Sequence, residues 1–127
     1  MLHLTKNNIQ TFEHDNFSRI HATIIDGNPY FVAGPFVKAL GYEKFKDTIF
    51  KHCKNVAEHI FVAKDDEHQI KFISEKDARV LIVKSEHPSI DEFERWFSND
   101  ILPSLKQKAS ELVEVEKNTS NEIVKIF

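Results

Sequence analysis

The side chains of this 127-residue chain best suited to chemistry are lysines crowded into one short segment. Lys38, Lys44, Lys46, Lys51 and Lys54, with His52 among them, face only Glu43 and Asp47 between positions 36 and 55. Lysines at this density can neutralise several phosphates while the helix carrying them approaches a groove of nucleic acid. No arginine lies in the segment, so it offers no bidentate reading of guanine. The plainer alternative is a solvated, lysine-rich helix surface.

A second set is acidic. Asp65, Asp66 and Glu67, followed by Glu86, Asp91, Glu92 and Glu94, belong to a stretch from 56 to 100 in which acids outnumber bases. Such a set suits a nucleic-acid mimic or a dock for a basic protein partner. It also suits an ordinary hairpin tip and an ordinary helix N-terminus, where carboxylates are favoured by the helix dipole. The net charge of −3 therefore hides a two-faced distribution.

Other chemistries find little support. The seven histidines include no pair at helical i, i+4 spacing with a second ligand, and there is neither an H-E-x-x-H nor a C-x-x-C motif. Three glycines leave no phosphate-cradling loop, and no serine stands in a G-x-S-x-G elbow. Trp96 and Phe97 could stack on bases, but at helical spacing with Phe93 they read as core. No catalytic residue, metal or cofactor is expected.

Strands and helices must position the lysines. Residues 9–14 and 19–25 alternate apolar and polar side chains, the period of half-buried strands. Asp15-Asn16 and Asp26-Gly27-Asn28 supply turns, and 29–33 reads as a third strand. Pro35 is placed as the first residue of a helix that Gly41 ends. In a second helix, Phe45, Thr48, Ile49 and Cys53 share one face, leaving the lysines outside. The arrangement partly resembles a helix–turn–helix, with Gly41 in the turn. Segments 59–63 and 69–73 read as a hairpin joined by the polar run 64–68. Ser74, with Asp77 three residues on, marks the start of a helix reaching Lys84. Pro88 and Ser89 start another, with Ile90, Phe93, Trp96 and Phe97 as its stripe, and Pro103 interrupts or restarts it.

Composition agrees with one α+β domain: 41% hydrophobic and 29% charged residues, and eleven phenylalanines that belong mostly in a core. A single cysteine, Cys53, excludes an intrachain disulfide. No apolar run approaches the roughly 18 residues of a membrane span, and the first residues do not read as a signal peptide. The expected location is the cytoplasm of a bacterial host cell. The pattern weakens after Ala109, so the expected organisation is a domain over 1–109 and a helical or flexible tail over 110–127.

Three stretches in this order resemble the Bro-N domain of phage and prophage antirepressors and of related large-DNA-virus proteins. The first is Asp26-Gly27-Asn28-Pro29-Tyr30-Phe31-Val32-Ala33 leading to Val37-Lys38-Ala39-Leu40-Gly41-Tyr42. The second is Asp47-Thr48-Ile49-Phe50-Lys51-His52-Cys53. The third is Phe72-Ile73-Ser74-Glu75, continuing to Phe93-Glu94-Arg95-Trp96-Phe97 and Ile101-Leu102-Pro103-Ser104-Leu105. The resemblance spans roughly 10–107 and implies a small antiparallel sheet with four to five packed helices, in a domain often described as DNA-binding. Where the family usually has a basic stretch after its third helix, this chain has Ser85-Glu86-His87-Pro88 and Ile90-Asp91-Glu92.

Two functions follow as expectations. The first is an antirepressor-like regulator that binds DNA through Lys38–Lys54, or binds a repressor, to modulate transcription. The second is an inhibitor from a mobile element that binds a repressor or a host defence protein, as an anti-CRISPR protein does, without needing DNA. A homodimer is a reasonable expectation for either, because two-fold pairing is the commonest symmetry.

Overall fold

The alternating segments at the front of the chain form strands, and short turns set their register. A computed structural model describes residues 3–5, 8–63 and 66–108. β1 (His3–Thr5) precedes a meander of β2 (Gln10–His14), β3 (Ser18–Ile25) and β4 (Asn28–Val32). Asp26 and Gly27 both adopt positive φ (52° and 79°), the two-residue geometry whose twist matches a β-hairpin. The β2–β3 loop instead has three residues, Asp15 to Phe17, and closes with Ser18 at φ 63°. β5 (Val56–Ala63) and β6 (Asp66–Ser74) make a second hairpin, and β6 returns to pair antiparallel with β4. The sheet order is β1-β5-β6-β4-β3-β2. Five strands are antiparallel to their neighbours; β1 adds a parallel edge beside β5, which the sequence pattern does not announce.

The second hairpin is longer than its apolar residues suggest. Asp66, Glu67 and His68 read as loop but pair with Ala63, Val62 and Phe61. An exposed hairpin arm needs backbone partners, not apolar side chains, to continue its ladder.

Helices α1 (Ala33–Ala39) and α2 (Phe45–His52) follow β4, and α3 (Glu75–Lys84) and α4 (Ile90–Trp96) follow β6. α1 starts two residues earlier than Pro35 suggests. Proline is tolerated there because the first-turn N–H groups have no intrahelical acceptor. α4 passes into a π-helical turn, Phe97–Ile101, in which the Leu102 N–H donates to the Phe97 carbonyl, and then into α5 over 102–108. The widened turn lies just before Pro103, whose ring would crowd the carbonyl four residues back in a regular helix. The α-helix is thus interrupted by the widened turn just before Pro103 and resumes over 102–108.

The helices cover the sheet face that carries Ile20, Ala22, Phe31 and Ile73. Aromatic rings fill the gap: Phe31, Phe36, Phe93 and Phe97 contact one another at centroid separations of 5.2–6.5 Å, and Phe17 and Trp96 extend the cluster. Offset and edge-to-face pairs of this kind add to the stabilisation from burial itself. Trp96 and Phe97 are thus core. Phe72, next to Ile73, is also fully buried but points to the opposite face, 5.8 Å from the His59 ring. Residues 109–127, which include the expected tail, lie outside the described residues.

Ser74 and Asp77 organise the start of α3. The Ser74 hydroxyl accepts from the Asp77 N–H at 3.2 Å, as the cap pattern leads one to expect. The Asp77 carboxylate, only 2% exposed, accepts the backbone N–H groups of Lys54 (3.0 Å) and Asn55 (2.6 Å). Substituting Asp77→Ala leaves both donors without an acceptor, and is expected to cost about 3 kcal/mol of unfolding free energy. Ser74→Ala is expected to cost about 1 kcal/mol. Urea midpoints of the two variants at neutral pH measure the difference.

Candidate nucleic-acid interface

Whether the lysines form a surface depends on how α1 hands the chain to α2. α1 ends at Ala39 with Leu40 as its C-cap, and Gly41 follows at φ 85°, a left-handed conformation that glycine adopts without penalty. The Gly41 N–H donates to the Lys38 carbonyl (3.0 Å) and the Tyr42 N–H to the Val37 carbonyl (3.3 Å), the paired bonds of a Schellman motif. A side chain at Gly41 would also meet the His87 ring, 3.3 Å from an ideal Cβ. The turn is tied to the rest of the fold twice more: the Tyr42 hydroxyl donates to the Leu81 carbonyl (2.7 Å), and the Ser85 hydroxyl donates to the Leu40 carbonyl (2.8 Å).

α2 then buries Thr48 and Ile49 and half-buries Phe45, with Cys53 just past its end. Lys46, Asp47, Phe50 and Lys51 form its outward face, and Lys44 and Lys54 stand exposed beyond its two ends. Four of the six basic residues singled out from sequence, Lys44, Lys46, Lys51 and Lys54, therefore gather on and around one helix. His52 does not belong with them; it is half-buried, 6.3 Å from the Tyr42 ring. Phe50, left out of the inward face read from the spacing, is 92% exposed although phenylalanines belong mostly in a core. Its helical position, among Lys46, Asp47 and Lys51 and away from the Phe45, Thr48, Ile49 and Cys53 face, is the signal that places it outside.

Lys38 looks elsewhere. It is exposed on α1 and lines a cleft of about 730 Å³ whose other walls include Ser18, Arg19, His21 and His87. The structure thus supplies beside Lys38 an arginine that the segment itself lacks. Arg19 is paired with Glu13 at 2.9 Å, but both are well exposed, and such pairs are worth little. Burial, and secondarily the Arg19 charge, lower the pKa of His21, which favours its neutral form. On the far side of Gly41 and His87 a second cleft of about 600 Å³ carries Lys44 and Lys84 against Glu43 and Glu86.

The acidic residues are dispersed. Asp66 and Glu67 are exposed at the start of β6, and Asp65 lies outside the described residues. Asp91 is exposed in the first turn of α4. Glu92 is used within the fold: both its oxygens accept from the Asn16 amide (3.0 and 3.2 Å), and its carboxylate lies 3.4 Å from His14 Nε2, so it ties α4 to the β2–β3 turn. Glu94 accepts from the Ser98 hydroxyl at 3.0 Å. Among the described residues no three His, Cys, Asp or Glu side chains are grouped to hold a metal ion, and no helix is long and apolar enough to cross a membrane.

The model of the BRO family, N-terminal domain, matches residues 19–103. An uncharacterized protein of Haemophilus influenzae is 29% identical over 107 residues, covering 80% of this chain and 53% of that protein. The chain thus spans about half the length of this curated relative. No solved structure gives a significant match.

Cys53, at the C-terminal end of α2, reports on how firmly the helix is seated. Burial, and then the Asp77 charge, raise its thiol pKa from 9.0 to about 11. A raised folded-state pKa means that the unfolded chain loses its proton first as pH rises. The stability contributed by the protonated thiol is complete below pH 9.0 and is lost as pH rises through about 11. Alkylation of the folded protein should therefore follow a midpoint near pH 11, against about 9 in denaturant. Cys53→Ala should remove that component of alkaline destabilisation in pH-dependent melts.

Proposed function

The chain belongs to the BRO N-terminal-domain family, and from that premise we propose that it is an antirepressor-like regulator that binds DNA through the outward face of α2. The observation that carries this reading is the convergence of Lys44, Lys46, Lys51 and Lys54 on one helix and its ends, with Asp47 the acid of the helix face. A helix of eight residues is roughly 12 Å long, close to the width of a B-DNA major groove. Lysines at its margins are placed to meet the phosphates on either side. Lys38 and Arg19 would then extend the footprint along the backbone from the neighbouring cleft. The protein acts by binding on this reading, with no catalytic step.

A protein-directed role, toward a repressor or a defence protein, has one observation of its own: Asp66, Glu67 and Asp91 are exposed, in contrast to the internally bonded Glu92. Under that reading, Asp91→Lys should weaken a partner complex that is indifferent to the lysines.

The test of DNA binding is affinity for mixed duplex fragments at about 50 and 200 mM salt, where phosphate contacts are most visible. The wild type should lose affinity steeply across that range. Reversing Lys44, Lys46 and Lys51 together to Glu should abolish binding at the higher salt, and should flatten the log–log salt slope by about 0.9 for each phosphate contact removed. Unchanged affinity in the triple variant would remove α2 as the docking element.

A further inference from the structure

Apolar side chains as large as phenylalanine seldom stand alone in water, and Phe50 does so on a helix with Lys44, Lys46, Lys51 and Lys54 on it or at its ends. At 92% exposure it contrasts with Phe31, Phe36, Phe72, Phe93 and Phe97, which are all fully buried. It occupies the middle of the outward face of α2, one turn after Lys46, three residues after Asp47 and next to Lys51. The helix is held at both ends, by the Gly41 turn before it and by the Asp77 contacts after it, so Phe50 is presented on a fixed element.

The face has lysines outside and one aromatic and one acid inside. Lysines at the rim match phosphates. The central pair matches base edges: a carboxylate accepts from the cytosine amino group, and an apolar ring packs on the thymine 5-methyl. The face carries no Arg, Asn or Gln, so the planar side chains that read guanine and adenine are missing from α2; Lys46 and Lys51, the remaining donors toward guanine, stand at its margins. A basic surround disfavours a basic or neutral protein surface as the occupant of this patch and favours a polyanion.

We propose that Phe50 reads thymine, by packing on its 5-methyl group in the major groove while the surrounding lysines hold the phosphates. This rests on DNA binding through α2 and adds to it a base preference, which phosphate contacts alone do not supply.

The experiment compares two pools of random-sequence duplex, one amplified with dTTP and the other with dUTP, which differ in the 5-methyl group alone. Wild type, Phe50→Ala and Phe50→Leu are titrated against each at about 50 mM salt. Neither substitution should disturb folding, because the side chain is exposed and both replacements favour helix; circular dichroism confirms this before binding is measured. The wild type should prefer the thymine pool by about fourfold, the worth of one buried methyl. Phe50→Ala should bind both pools as the wild type binds the uracil pool, with its salt slope unchanged. Phe50→Leu should keep much of the preference.

A wild type that binds both pools equally, with salt-sensitive affinity intact, would overturn thymine reading and leave phosphate docking standing. A Phe50→Ala variant that retains the thymine preference would overturn it as well. So would one that keeps the preference while losing a protein partner, which would assign Phe50 to that partner. No binding to either pool would overturn both this proposal and the DNA-binding reading.

Discussion

A single buried carboxylate fixes how the helices stand on the sheet. Asp77 sits in the first turn of α3, almost wholly removed from water, with no cationic side chain in an ion pair with it among the described residues. A charge in that position is tolerable only if dipoles replace its hydration. They come from the N-terminus of α3 and from the N–H groups of Lys54 and Asn55, the residues that lead out of α2 toward β5. The contact therefore joins three elements at one point: the end of α2, the start of β5 and the start of α3. The same charge raises the Cys53 thiol pKa.

The other end of α2 is fixed by different means. Gly41 makes the turn, Tyr42 reaches Leu81 on α3, and Ser85 binds Leu40, so the α1–α2 connection rests on the α3–α4 connection. Beneath both lies the aromatic cluster of Phe31, Phe36, Phe93 and Phe97. With its two ends tied and Thr48 and Ile49 buried, α2 presents one face to solvent, and that face is lysine-rich with Phe50 at its centre. A rigid basic helix needs no rearrangement before binding, which spares the ordering cost that a disordered basic segment incurs.

Much of this was legible in the residues themselves. Asp26-Gly27 can make a two-residue turn because both tolerate positive φ, and Ser74 with Asp77 announces α3 because a helix start needs acceptors. The inward faces of α2, α3 and α4 follow from 3.6-residue spacing. Where sequence fell short, the missing information was tertiary. Three residues are too few for β1 to show a period, and its place follows from pairing with β5. The polar start of β6 hides a strand because ladder bonds are made by backbone. Arg19 and Lys38 line one cleft across a gap in sequence that no local pattern spans. Glu92 looks like a free helix-dipole acid until Asn16 and His14 arrive beside it. Phe50 misleads because composition assigns phenylalanine to cores, whereas it lies about a third of a turn round from Ile49, beside Lys46 and Lys51.

If DNA docks on the outward face of α2, the amides of that helix respond first. Amide chemical-shift mapping of the labelled protein, titrated with mixed duplex at low salt, tests this residue by residue. The expected result is perturbation concentrated at residues 44–54, with weaker changes at Arg19 and Lys38 and none along Asp66–Lys71 or at Asp91. Perturbation centred on those acidic positions, or an unchanged spectrum for 44–54 at saturating DNA, would contradict it.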